Sequence, residues 1–222
     1  MMDKPKLSKD KIETLLDNKY LSVLDLRYRE TGHYYSATRR KAESTVAGLT
    51  DEEFRTMRPD AVTCVVIVKD RDGEYGLLFT KEFRYPVGQF LLSPPAGLLD
   101  ERDLSEPEPV LSAARREIEE ETGLRLSEND KLFVISPLFF STPGMTDESN
   151  AMVCAVADLP EGFEFNSAGT ESAERIGDYT IYKKDEILEM IRSCRDREGL
   201  YFSVFTWAAM IYFVSGMWKE RL

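Results

Sequence analysis

The sequence predicts an α/β protein, on three observations. Apolar runs of strand length (AVTCVVIVK, YGLLFTKEF, GQFLLS, KLFVISPLFF and AMVCAVADL) recur through its middle, several as pairs across short turns. One stretch of helical periodicity, SAARREIEEETGL, stands among them, and KKDEILEMIRSCRD and a long apolar segment follow them. The 222 residues are 42% hydrophobic and 31% charged, enough to bury one sizeable core. Helices in such a pattern must cover the faces of a sheet.

In chain order, MMDKPKLSKDKIE carries charges with no apolar run behind them, so no secretory leader is expected. KYLSVLDLRYRE and HYYSATRR flank Glu30-Thr31-Gly32 and predict a hairpin over about residues 19–40. TVAGLTDEEFRTMRP, residues 45–59, reads as a connector with a short helix after Thr50, its N-cap. Residues 1–58 are thus expected to form a β appendage with its connector, and 59–222 the main domain. The main domain opens with a strand to the turn Asp70–Gly73, a second over Tyr75–Phe83 and a third stopped by Pro94-Pro95. A loop of a dozen residues leads to a helix that starts near Pro107 and Pro109 and ends at Gly123. Two strands separated by STPGMTDESN follow, then a weaker strand over residues 174–182 and the two closing helices.

Composition excludes several function classes. Forty acidic against 29 basic side chains leave a net charge of −11, unsuited to coating nucleic acid. Cys64, Cys154 and Cys194 are odd in number and far apart, which argues against disulfides or a zinc site and for a reducing, cytoplasmic compartment. With His33 as the single histidine, no multi-histidine site is available. Residues 200–218 carry no charge, and about 20 such residues can span a bilayer. Ser203, Thr206, Ser215 and Gly216 dilute the stretch, which is read as a buried helix and not as a membrane anchor.

The chemistry sits on the glutamate-rich helix. At about 100° per residue, and with Arg116 at 0°, Glu120 falls near 40°, Glu117 near 100° and Glu121 near 140°. Leu111, Ala114 and Ile118 form the core stripe, and Glu119 falls beside Arg115 on the solvent side. Like charges at these spacings repel, and they stand near the helix end whose dipole disfavours anions. A solvated acidic face fits the run alone. A hard divalent cation, Mg2+ or Mn2+, would offset both penalties through oxygen ligands.

The context resembles the Nudix box: a glycine, five residues, a glutamate, seven residues, then Arg-Glu-aliphatic-x-Glu-Glu-x-Gly-aliphatic. Here Glu108 is followed by seven residues and then by Arg116-Glu117-Ile118-Glu119-Glu120-Glu121-Thr122-Gly123-Leu124. The box glycine is read as Gly97, ten residues before Glu108, which places five extra residues in the loop between them. FRYPVGQFLLSPPAGLLDE is similar to the segment before the box in the ADP-ribose pyrophosphatase branch, with Ser93 where that branch usually has glutamate. STPGMTDES is similar to that branch's Ser-Pro-Gly-x-x-x-Glu loop.

The resemblance implies an α/β/α sandwich with a mixed sheet and a small N-terminal antiparallel β appendage. It implies metal ligation by Glu117, Glu120, Glu121 and the carbonyl of Ala96. Arg116 would orient acidic groups, with Glu108 as its partner. Arg84, Tyr85 and Gly97 would contact substrate, and Glu148, or Glu120 on the helix, would act as the base. The implied substrate is a small nucleoside diphosphate linked to a second moiety, ADP-ribose foremost, with a nucleotide sugar, a dinucleotide or a non-catalytic sensor role as alternatives. The implied assembly is a homodimer through the appendage.

Overall fold

The computed structural model describes residues 7–170 and 176–222. Residues 1–6, part of the segment read for a leader, lie outside the described residues, as do Glu174 and Arg175 of the expected weak strand. The chain divides into two compact units, residues 1–60 with 138–150, and residues 61–137 with 151–222.

The first unit holds a three-stranded antiparallel sheet, β1 (Ile12–Asp17), β2 (Ser22–Arg27) and β3 (His33–Thr38), in the order β1-β2-β3. The expected hairpin is β2–β3. The strand β1 is an addition, and its sequence IETLLD hides it because only Ile12 is even half-buried. An edge strand exposed on both faces shows no alternation to read. Asn18 closes the β1–β2 turn by accepting from the amides of Tyr20 and Leu21 at 2.8 and 3.0 Å. The connector helix α1 (Asp51–Thr56) starts at Thr50 in a capping box with Glu53, both hydrogen bonds present.

The larger sheet has seven strands. These are β4 (Ala61–Lys69), β5 (Tyr75–Arg84), β6 (Gln89–Ser93), β7 (Ala96–Leu98), β8 (Lys131–Phe140), β9 (Ser149–Asp158) and β10 (Ile176–Lys183). All lie in the second unit except residues 138–140 of β8 and 149–150 of β9, which are grouped with the first. The order is β10-β5-β4-β9-β8, with β6 on β5 and β7 on β4. The strand β8, which carries Pro137, lies at an edge, where a missing amide donor is tolerated. The helices are α2 (Glu101–Leu104), α3 (Pro109–Thr122), α4 (Lys184–Ser193) and α5 (Val204–Ser215).

Strand alternation divides the core in two. Val62, Cys64, Val66 and Val68 of β4, with Val153, Ala155 and Ala157 of β9, pack on Ala113, Ala114 and Ile118 of α3. Val65 and Ile67, with Met152, Cys154 and Val156, pack on Ile187 and Met190 of α4 and on Ala209, Met210 and Phe213 of α5. Two helical layers with a mixed sheet between them give the α/β/α sandwich. The last apolar stretch folds as expected, a helix of 12 residues on the sheet. It is about 18 Å long, and among the described residues no helix is long and apolar enough to cross a membrane. Beyond it Trp218 is 1% exposed, donates to the Phe213 carbonyl at 3.0 Å and stacks on that ring.

Candidate active site

The site is assembled where β7 meets α3. Pro94-Pro95 ends β6 and turns the chain into β7, which pairs antiparallel with β4 through Thr63↔Ala96, Val62↔Gly97 and Ala61↔Leu98. That pairing lays the backbone of Ala96 and Gly97 under the carboxylate face of α3. The amide of Ala96 donates to Oε1 of Glu121 at 3.2 Å. The Glu117 carboxylate lies directly over Gly97, where an added Cβ would stand 2.0–2.4 Å from its atoms. Only a glycine admits so close an approach. The helix then stops at Gly123, whose φ of 73° supplies the left-handed C-cap.

Glu117 and Glu121 are 8% and 5% exposed, and Glu120 stands at the rim. With Gly97, Leu98, Asp100, Arg102, Arg116, Gly169 and Thr170 they line a cavity of about 440 Å³. Four carboxylates against two guanidiniums leave that lining with two net negative charges.

Arg116 fastens the acidic groups to one another. Its guanidinium reaches Asp103 at 2.7 Å, Glu117 at 2.6 Å, Glu120 at 3.0 Å and the Leu98 carbonyl at 2.9 Å. Burial works against its charge, but the hydrogen bond to Asp103 and the charge of Glu117 outweigh burial, so its pKa is raised and it stays cationic. Asp100 is pushed down to about 2, first by its hydrogen bond from Arg102 and, against partial burial, by the amides of Asp103 and Arg102. Beneath the helix, burial and then the charges of Glu121 and Glu117 push the Cys64 thiol well above its usual range. A protonated, buried thiol is no nucleophile, so the chemistry here is that of carboxylates.

Among the described residues no three acidic, thiol or imidazole groups are gathered closely enough to enclose an ion, and Arg116 pairs with both Glu117 and Glu120. The donor set nevertheless fits a hard cation. It is all oxygen, two of its carboxylates are more than nine-tenths buried, and the lining carries a net negative charge.

A family model described as NUDIX domain matches residues 57–192. The chain belongs to the Nudix family. This Nudix chain is 35% identical over 118 residues to ADP-ribose pyrophosphatase of Saccharomyces cerevisiae, covering 50% of this chain and 47% of that one. It is 30% identical over 123 residues to a nudix hydrolase of Caenorhabditis elegans, covering 53% and 51%. The chain spans about half the length of the curated relatives it matches. A solved Ap4A hydrolase complex from C. elegans matches 72% of this chain and 98% of its own at 15% identity, with a TM-score of 0.43. That likeness is too distant to bear on the site.

In the Nudix box of this chain the structure brings together Ala96, Gly97, Arg116, Glu117, Glu120 and Glu121. It corrects the partner of Arg116. Glu108 is exposed, caps no amide and makes no ion pair with Arg116; Asp103, 2% exposed, holds that guanidinium. The signal was present in the spacing. Asp103 is the sixth residue after Gly97, where the box calls for its first acid, so the five extra residues fall between Asp103 and Arg116 and not before Glu108. The expected loop also contains α2, opened by Asp100 in a capping box with Asp103. Glu119 pairs with Arg125 at 2.7 Å and not with Arg115.

The other expected residues are placed differently. Arg84 pairs with Glu82 at 2.5 Å, and Tyr85 is exposed, edge-on to Phe83 at 5.0 Å; neither lines the 440 Å³ cavity. Glu148 belongs to the first unit, where Arg39 holds it at 2.5 Å. Asp100, Arg102, Gly169 and Thr170 line the cavity without any sequence pattern that singles them out.

Proposed function

We propose that this Nudix chain hydrolyses the diphosphate of a nucleoside diphosphate linked to a second moiety, ADP-ribose foremost, to AMP and ribose 5-phosphate. The observation that carries the reading is the pair of buried carboxylates, Glu117 and Glu121, set against the Ala96-Gly97 backbone beside a cavity of net negative charge. A diphosphate cannot enter such a lining unaided. The likeness to the yeast ADP-ribose pyrophosphatase supports the choice of substrate.

Glu117, Glu120, Glu121 and the Ala96 carbonyl would hold Mg2+ or Mn2+. When bound, the metal would offset the charge of the diphosphate and lower the pKa of a water, so that it gives up its proton more readily. Arg116 keeps Glu117 and Glu120 in register and leaves Glu121 to the Ala96 amide. Gly97 gives the Glu117 carboxylate room and presents backbone to the substrate. Glu148, or Glu120 on the helix, takes the proton of the attacking water. The oxygen of that water becomes part of one phosphate, and the anhydride oxygen leaves with the other. Arg84 and Tyr85 are assigned to the substrate's charged and ring portions.

The test is a panel of ADP-ribose, nucleotide sugars and dinucleotides with Mg2+ or Mn2+, read as phosphate released by a coupled phosphatase. ADP-ribose is expected to turn over fastest, and chelator to abolish turnover. Turnover confined to compounds without an ADP moiety would overturn the substrate assignment. The same reading assigns residues 1–58 to an appendage that pairs two copies through its sheet, with exposed Tyr34 and Tyr35 on β3 and exposed Tyr20 and Tyr28 in the turns beside β2. Sedimentation at micromolar concentration should show a dimer, and a lone monomer would remove that assignment.

A further inference from the structure

Beside the 440 Å³ cavity a second cavity of about 680 Å³ runs past the C-terminal end of α3, and the two share Arg102, Arg116, Glu120 and Gly169. Both lie within the second unit. The segment after β9 builds the far wall. The Thr122 carbonyl, one of the last of the helix, accepts from the Asn166 amide at 3.1 Å, and the Glu121 carbonyl accepts from Tyr179 Oη at 2.9 Å. Phe163 and Phe165 pack on the α3 side of the core, which leaves Asn166 and Ala168 to the cavity. Gly169 passes so close to α3 that an added Cβ would stand 2.7 Å from the Cα of Glu120. Across the shared edge the charge changes sign. Arg102, Arg116 and Arg125 against Glu119 and Glu120 leave the second cavity with one net positive charge, where the first has two negative. Among the described residues that line it there is no aromatic ring and no apolar side chain larger than that of Ala168.

The polar side chains of this cavity hold donors in reserve. Arg102 gives Nε and Nη2 to Asp100 at 2.9 and 2.6 Å, and Arg125 gives Nε to Glu119 at 2.7 Å. The Asn166 Oδ1 accepts from the Ala168 amide at 3.3 Å. Among the described residues Nη1 of Arg102, both Nη atoms of Arg125 and Nδ2 of Asn166 have no acceptor. We propose that this second cavity takes the moiety beyond the diphosphate, and that Arg125 and Asn166 are specificity-determining residues that select a sugar there over a nucleoside. The inference rests on the reading of the chain as a diphosphate hydrolase. A diphosphate beside Glu117 and Glu121 has two ends, and the end that passes Arg116 and Glu120 enters a space of N–H donors and positive charge. Sugar hydroxyl oxygens accept from such donors, whereas a nucleobase finds no ring or apolar face on which to stack. A site built to hydrogen-bond a hydroxyl rejects the analogue that lacks it, because its own polar groups are then left unpaired.

The experiment compares ADP-ribose with diadenosine diphosphate on the full chain with Mg2+. The two compounds differ in whether the second ribose carries a hydroxyl or an adenine. The unaltered chain should favour ADP-ribose in kcat/KM by about 10-fold or more. Arg125→Ala should raise KM for ADP-ribose by about 10-fold, the scale of a lost hydrogen bond to a charged group, with kcat within about 2-fold. Asn166→Ala should raise it by about 3-fold, the scale of a neutral one. In both variants the preference over the dinucleotide should narrow. Arg125 is 83% exposed, so its removal opens no hole in a core, and the melting temperature of Arg125→Ala should match that of the unaltered chain. Glu119→Ala keeps Arg125 and should not raise KM. No turnover of either compound by the unaltered chain would overturn the hydrolase reading and the assignment of this cavity with it. Turnover with equal or reversed preference would overturn the assignment of the cavity alone. So would an Arg125→Ala variant with unchanged KM, a loss equal for both compounds, or the same loss in Glu119→Ala, since the guanidinium would then select nothing.

Discussion

Glu117 is held against backbone, and the space for it exists only because residue 97 has no side chain. Gly97→Ala would drive a methyl into the carboxylate and push it out of the place it holds beside Arg116. Activity should fall by about 10- to 100-fold with little change in thermal stability, measured by turnover and melting on one preparation. Asp100 supplies a pH dependence of stability. Its folded-state pKa lies below the ordinary carboxylate value, so its contribution is complete above about pH 4 and is lost as pH falls through about 2. Asp100→Asn keeps an N-cap for α2 but removes the charge, so acid unfolding followed by circular dichroism should be less steep between pH 4 and pH 2. At this scale the sequence made Glu117, Glu120 and Glu121 legible, because i, i+3 and i+4 spacing on a helix fixes which carboxylates share a face. It did not make Asp100, Arg102 or Gly169 legible, since they reach the cavity through loop conformation, which has no period to detect.

The element that decides the site is α3, and its reading from sequence held from Pro109 at its start to Gly123 at its stop. The expectation failed in the segment before it. A charged, proline-bearing stretch predicts a loop, yet it contains the single turn α2, which buries Asp103 against Arg116. A four-residue helix is too short to show amphipathic periodicity, and β7, three residues long, is equally silent. Asp103→Asn should weaken the grip on Arg116 and lower turnover by about 10- to 100-fold, while Glu108→Gln should leave it unchanged. Equal losses in the two variants would restore Glu108 as the partner.

In the second unit as a whole, helices cover both faces of one sheet, and the strand bearing Ala96 and Gly97 is paired to its buried strand β4. Valine-rich β4 is buried along eight of its nine residues, which is why the central sheet was plain in the sequence. The C-terminal turn closes one face: Trp218 stacks on Phe213 and meets Tyr75 edge-on at 4.8 Å. Trp218→Ala should cost about 3–5 kcal/mol in denaturant unfolding, far from any catalytic group. The central claim, that the α3 glutamates hold a divalent cation, is tested most directly by Mn2+ binding followed by electron paramagnetic resonance. The unaltered chain should take up Mn2+, and Glu121→Gln should bind it about 10-fold more weakly or worse with an unchanged melting temperature. Equal Mn2+ affinity in the two proteins would contradict the account.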